Sequence, residues 1–196
     1  MKRIFIIAVL LIAGLLAGVL TAHWQRSAAA PEVATLFATP RLLDWPALVD
    51  ELGDPISASS FSTEWDLLFF GFTRCPDICP MTLGRLRTAI GQLPADERPR
   101  VWLVSVDPTH DKSEVLRDYL AFFDASFRGL TGTEAQIESL ATQLGVAYSR
   151  VPQEEGYTMS HSAALFLLDR EGRYAGLFTT PHDWPTISQD LARIVN

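Results

Sequence analysis

Leu67-Leu-Phe-Phe-Gly-Phe-Thr-Arg-Cys-Pro-Asp-Ile-Cys-Pro-Met-Thr-Leu-Gly-Arg-Leu-Arg-Thr-Ala-Ile90 is the stretch from which the fold can be read. Its first six residues form an unbroken apolar run with aromatics, the pattern of a strand buried on both faces. Leu83, Leu86, Ile90 and Leu93 then recur at helical spacing, and a second, β-branched run over Val101–Val106 stops at Asp107-Pro108. Strand, helix and strand in that order make a βαβ unit, because parallel neighbours need a long crossover between them.

Outward from this unit the same reading predicts a helix over Glu114–Phe123, with Asp111 and Glu114 in a capping-box relation. A second helix opens at Thr133 with Gln136 and ends at Gly145. Val146–Val151 is expected as a short strand. Leu165–Leu168 and Tyr174–Phe178 flank the polar, glycine-containing loop Asp169–Arg173, which predicts a hairpin, and Pro185 opens a closing helix that ends near Val195. The expected architecture is α/β, a mixed central sheet with helices on both faces. The 196 residues, 48% of them hydrophobic, suffice for one such domain with a real core and exclude wholesale disorder.

The N-terminus differs in kind. Lys2 and Arg3 precede the uncharged run Ile4–Ala22, which as a helix measures roughly 28 Å against a hydrocarbon core of about 30 Å. This predicts a single-pass transmembrane anchor within residues 1–24. The flanking charges keep its start in the cytoplasm of a bacterial cell and place the rest beyond the inner membrane, in the periplasm. Ala28-Ala29-Ala30 offers a competing signal-peptide cleavage site, but the apolar run exceeds the usual signal core and Pro31 follows the most obvious cut. The alanine-rich residues 25–38 are expected as a linker and 39–196 as the globular domain. Three of the 16 basic residues lie in the first 26, leaving 13 against 23 acidic groups, so a nucleic-acid role is excluded.

Cys75 and Cys79 are the only cysteines and sit at the strand-to-helix turn, where open α/β sheets place their sites. Pro80 is expected as the first helical residue, with Cys79 at the N-cap; the helix N-terminus and Arg74 favour thiolate, Asp77 opposes it, and the expected net direction of the thiol pKa is downward. Two sulfurs so spaced can form a disulfide or hold one soft metal ion. A disulfide closing so short a loop contributes little stability, which argues for chemistry. Among the histidines beyond the anchor, His161 stands directly before the apolar run Ala163–Leu168, whereas His110 and His182 read as solvated loop residues and Met159 as core. Two cysteines and a histidine suit copper better than a closed structural zinc site, which wants four ligands; an open zinc site remains an alternative.

Three segments carry a resemblance: Phe70-Gly-Phe-Thr-Arg-Cys-Pro-Asp-Ile-Cys-Pro-Met-Thr-Leu83, Val104-Ser-Val-Asp-Pro108, and His161-Ser162 leading into the strand that ends Leu168-Asp169. Together they resemble the Sco/SenC proteins, which deliver copper during assembly of cytochrome c oxidase. The resemblance implies a thioredoxin-like fold in which Cys75, Cys79 and His161 bind one copper ion; two thiolates favour Cu(I), and imidazole with an open fourth position also accepts Cu(II). The resemblance also implies as partners the copper A subunit of the oxidase and a copper donor chaperone; the copper-thiolate chemistry adds a thiol reductant, since oxidation of the pair would abolish binding. Asp107 matches the family's aspartate after the second strand, a candidate to support the ligands or dock a partner, with capping of the turn before Pro108 as its plainer role. Arg74 stands where many relatives have histidine, and Ser160 where many have aspartate. This describes a metallochaperone rather than an enzyme. The alternative is an exported thiol-disulfide oxidoreductase using the same pair, although such enzymes usually keep two residues between their cysteines and a cis-proline facing them. A zinc hydrolase would need a general base, and none is evident beside the pair.

Overall fold

A computed structural model describes residues 6–7, 10–18 and 30–195. In chain order its elements are β1 (Ala34–Arg41), β2 (Val49–Asp50), β3 (Asp66–Gly71), α1 (Ile78–Gly91), β4 (Arg100–Ser105), α2 (Ser113–Ala121), β5 (Arg128–Thr131), α3 (Glu134–Leu144), β6 (Tyr148–Pro152), β7 (Tyr157–His161), β8 (Leu165–Leu168), β9 (Tyr174–Phe178) and α4 (Trp184–Ile194). Seven strands form one mixed sheet in the order β1-β9-β8-β3-β4-β5-β2, with β3, β4 and β5 parallel and the remaining neighbours antiparallel. All six residues of β3 are buried, which is why its sequence shows no alternation. Helix α1 presents Leu83, Leu86 and Ile90 to the core, α2 packs on β5, and α4 packs on α1, where the Ser188 hydroxyl donates to the Ala89 carbonyl. The predicted βαβ unit and the hairpin of β8 and β9 both form. So does the Thr133–Gln136 capping box, on a helix closed by Gly145 in the left-handed conformation that suits glycine.

Four local expectations are corrected. Helix α1 starts at Ile78 with Asp77 as N-cap, so Cys79 lies inside the first turn and Pro80 is its third residue, where a missing N–H is harmless. Helix α2 starts at Ser113 with Lys112 as N-cap and ends at Ala121. Asp111 caps nothing there, because its carboxylate turns inward to accept hydrogen bonds from Thr73 and Ser105. The expected short strand is β6, displaced to Tyr148–Pro152, and it pairs with β7, which the sequence reading did not assign to any element; the two form a separate ribbon.

The linker expected over residues 25–38 does not reach Ala38. Ala34–Leu36 pair with β9, and the preceding turn is fastened by the buried Asp190, whose carboxylate accepts the backbone N–H groups of Glu32, Val33 and Ala34 at 2.7–2.9 Å. One carboxylate thus satisfies three backbone donors at the entry to this edge strand, whose ladder is made with β9. Of the apolar run Ile4–Ala22, residues 6–7 and 10–18 are helical and the rest lie outside the described residues, as do Gln25–Ala29 with most of the candidate cleavage site. Among the described residues no helix is long and apolar enough to cross a membrane.

Candidate metal centre

The loop between β3 and α1 turns on the Cys75 N–H, which donates to the Phe72 carbonyl at 3.3 Å, and on the Cys79 N–H, which donates to Cys75 Sγ at 3.4 Å. Cys79 is fully buried over Gly71, where an added Cβ would come within 3.0 Å of its sulfur; Cys75 is half-buried and opens toward solvent. Both are free thiols. Strand β7 delivers His161 from the opposite side, with Nε2 3.5 Å from Cys79 Sγ and the ring edge-on to Phe69 and Phe72. One ligand atom from each of Cys75, Cys79 and His161 lies within 4.8 Å of the others, and this is the one such cluster among the described residues.

The tautomer of His161 follows from its neighbour. Nδ1 is 3.0 Å from the Ser162 carbonyl oxygen, which can only accept, so Nδ1 carries the proton and the Nε2 lone pair faces the sulfurs. Burial lowers the pKa of this imidazole, with the Ser162 carbonyl opposing in part, and so keeps it neutral and ready to ligate. The downward shift expected for the thiols is reversed at Cys79. Burial pushes its pKa far up, and the nearby Cys75 and Asp111 add to the effect. The helix N-terminus does not compensate for removal of the sulfur from water. A cation seated beside Cys79 would favour its thiolate.

Asp107, at the end of β4, is buried and receives donors from three directions. Arg74 reaches it at 2.8 Å, the Tyr157 hydroxyl at 2.7 Å and His110 Nδ1 at 3.0 Å. Burial works against its charge, but the bonds from Tyr157, Arg74 and His110 outweigh it and hold the carboxyl below its ordinary pKa. His110 is thus not the freely solvated residue expected, although it remains partly exposed. His182 differs too: its ring packs edge-on against Trp184 and its buried Nε2 has no partner. Ser160 is exposed, next to His161 on a strand whose successive side chains alternate faces. The reading of the sequence missed Tyr157, whose signal was its even spacing from His161 along a strand not recognised as one, and Asp111, whose helix-cap position concealed a partner in Thr73.

A family model described as SCO1/SenC matches residues 45–196. The chain belongs to the SCO1/SenC family. This SCO1/SenC chain is 38% identical over 152 residues to a Stutzerimonas stutzeri protein named for copper binding, covering 76% of this chain and 74% of that one. The solved structure of Bradyrhizobium japonicum ScoI with copper bound is 31% identical, with a TM-score of 0.65, covering 79% and 98% of the two chains. Yeast Sco1 with copper bound is 27% identical, with a TM-score of 0.71, covering 80% and 89%. The expected thioredoxin-like fold is therefore the fold of these SCO1/SenC structures.

Proposed function

We propose that this protein is a copper chaperone that holds one copper ion between Cys75, Cys79 and His161 and passes it by ligand exchange to the copper A centre of cytochrome c oxidase. The observation that carries the reading is the convergence of two sulfurs and a correctly tautomerised imidazole nitrogen within 4.8 Å. Two thiolates select a soft ion and favour Cu(I), while the imidazole and the open side at Cys75 also admit Cu(II). Three ligands rather than four leave one position free for an incoming ligand, the condition for transfer rather than storage. Copper-bound relatives support the choice of metal, and the family resemblance supports the oxidase as recipient.

Oxidation of the pair to a disulfide would remove two electrons, two protons and both sulfur ligands together, so loading is coupled to thiol redox state and a thiol reductant belongs to the cycle. The charge-free run Ile4–Ala22 supports an anchor in the inner membrane that presents the domain to the periplasm, where the oxidase centre and a copper donor would meet it. Asp107, one residue removed from the ligands through Arg74, is read as a support of the site.

The reading is tested by titrating Cu(I) into the reduced full chain in detergent and counting bound ions in the native protein, His161→Ala and Cys75→Ser. One ion per chain, weakened by both substitutions, is the expected result. Normal copper binding by His161→Ala, with disulfide exchange lost in Cys75→Ser, would transfer the assignment to a thiol-disulfide oxidoreductase.

A further inference from the structure

The ribbon of β6 and β7 carries His161 but shares no backbone ladder with the seven-stranded sheet that carries the cysteines. Beyond the three-residue connection from His161 to β8, its position relative to Cys75 and Cys79 is therefore set by side chains. Along β7 the hydroxyl-bearing Tyr157 and the ligand His161 are the first and last residues of a five-residue strand, roughly 13 Å apart at about 3.3 Å per residue. Because a paired strand is stiff, holding one end orients the other.

Tyr157 is held on several sides. Its hydroxyl donates to Oδ1 of Asp107 at 2.7 Å, and the guanidinium groups of Arg74 and Arg150 lie 5.2 and 4.2 Å from its ring centroid. Arg74 is the residue before Cys75, and its own donor to Asp107 Oδ2 is 2.8 Å long. One buried carboxylate thus accepts from the cysteine loop with one oxygen and from the histidine strand with the other. Asp107 is 1% exposed, so its carboxylate depends on these donors for solvation, although Arg74 keeps much of its own guanidinium in water. Its own backbone N–H is tied to the Ser105 hydroxyl at 3.0 Å, which fixes the carboxylate relative to β4.

We infer that Tyr157 and Arg74 are positioning residues which, through Asp107, clamp the His161 ribbon against the cysteine loop and so set how tightly the site retains copper. This rests on the three-ligand reading above. It gives Arg74 a role: a guanidinium both bonds the carboxylate and lies against the tyrosine ring, two contacts that a smaller side chain at this position would not make together.

The test compares full chains in detergent: native, Tyr157→Phe, Arg74→Met, the double variant, Arg74→Lys and His161→Ala. Cu(I) affinity is measured by competition with a chromogenic chelator, and amide hydrogen exchange is measured on the metal-free proteins. Removal of a group that orients a metal ligand typically weakens binding about 10- to 100-fold, the loss expected for Tyr157→Phe and for Arg74→Met. The double variant should lose no more than the more severe single variant, because both act through one carboxylate. Arg74→Lys should recover part of the loss. In the metal-free Tyr157→Phe protein, exchange over Thr158–His161 should quicken while β3 and β4 keep their protection. Native affinity in Tyr157→Phe and Arg74→Met beside weakened His161→Ala overturns the clamp and leaves the three-ligand site standing. Loss of protection throughout β3 and β4 would make Tyr157 a general structural residue and also overturn it. Native affinity in His161→Ala overturns the three-ligand reading, and the clamp with it.

Discussion

Nε2 of His161 lies 3.5 Å from Sγ of Cys79, a contact that closes 82 residues of chain. The two groups are suited to a cation and poorly suited to each other: the imidazole is held neutral and the thiol is held protonated, both by burial. A metal ion that displaces the thiol proton gains both ligands in a pocket already formed.

The unequal burial of the two cysteines predicts unequal reactivity. With the Cys79 thiol pushed up by burial and its sulfur enclosed over Gly71, iodoacetamide at pH 8 should modify Cys75 first, with Cys79 slower by at least about tenfold. Peptide mapping after brief alkylation measures the ratio. Equal labelling of both would contradict the enclosed position of Cys79.

Gly71 should not tolerate a methyl group. An added Cβ would stand 3.0 Å from Cys79 Sγ, Leu103 Cδ1 and Phe69 Cε1 at once. Gly71→Ala is expected to lower stability by about 1–3 kcal/mol and to weaken copper binding by displacing Cys79. Denaturant unfolding and Cu(I) competition on the same preparation test both halves, and a variant with native values in both would show that the sulfur has room to move.

Two buried histidines should cost the metal-free protein stability on the acid side. His161 and His182 are both lowered from 6.5 by burial, opposed in part by the backbone carbonyls of Ser162 and Phe178. The unfolded chain therefore takes up these protons first as the pH falls through about 6.5, so stability lost on the acid side is fully present above it. Asp66, pushed up to about 6 by burial, has the opposite sign over the same range, since there the native state takes up the proton first. The histidine contribution is therefore read as a difference: from pH 7 to pH 5 the thermal midpoint of the native protein should fall further than that of His182→Gln. An equal drop in native and variant would remove His182 from this account.

Asp190→Ala removes the acceptor shared by three backbone donors and the partner of Arg193. A cost of about 1–3 kcal/mol is expected, or roughly 2–10 °C in the thermal midpoint. Hydrogen exchange should show Glu32–Ala34 opening while β3 stays protected. If those amides exchange at the native rate, something other than Asp190 holds the edge strand.

The βαβ unit, the α3 caps and the β8–β9 hairpin were legible because each is encoded locally. An apolar run, a 3.6-residue period or a capping pair acts within one element, and the Cys75–Cys79 pair was conspicuous at its turn for the same reason. Strand β7 was not legible, since its five residues Tyr157–His161 are too short a run for their alternation to stand out and its ladder partner is a ribbon strand, not the main sheet. The first five residues of edge strand β1 were read as linker, because the carboxylate that fastens the turn before it stands more than 150 residues away.

By itself the sequence determined which chemistry this chain carries: two thiols and a histidine on an acidic α/β domain behind an apolar N-terminal run. His161 was already singled out by its place before β8 and by the family resemblance; only the tertiary structure decided that its Nε2 stands 3.5 Å from the Cys79 sulfur, that Cys79 is buried with its thiol pushed up, and that Asp107 joins the cysteine loop to the histidine strand. These depend on distance and desolvation between segments far apart in the chain, quantities that no local pattern of residues expresses.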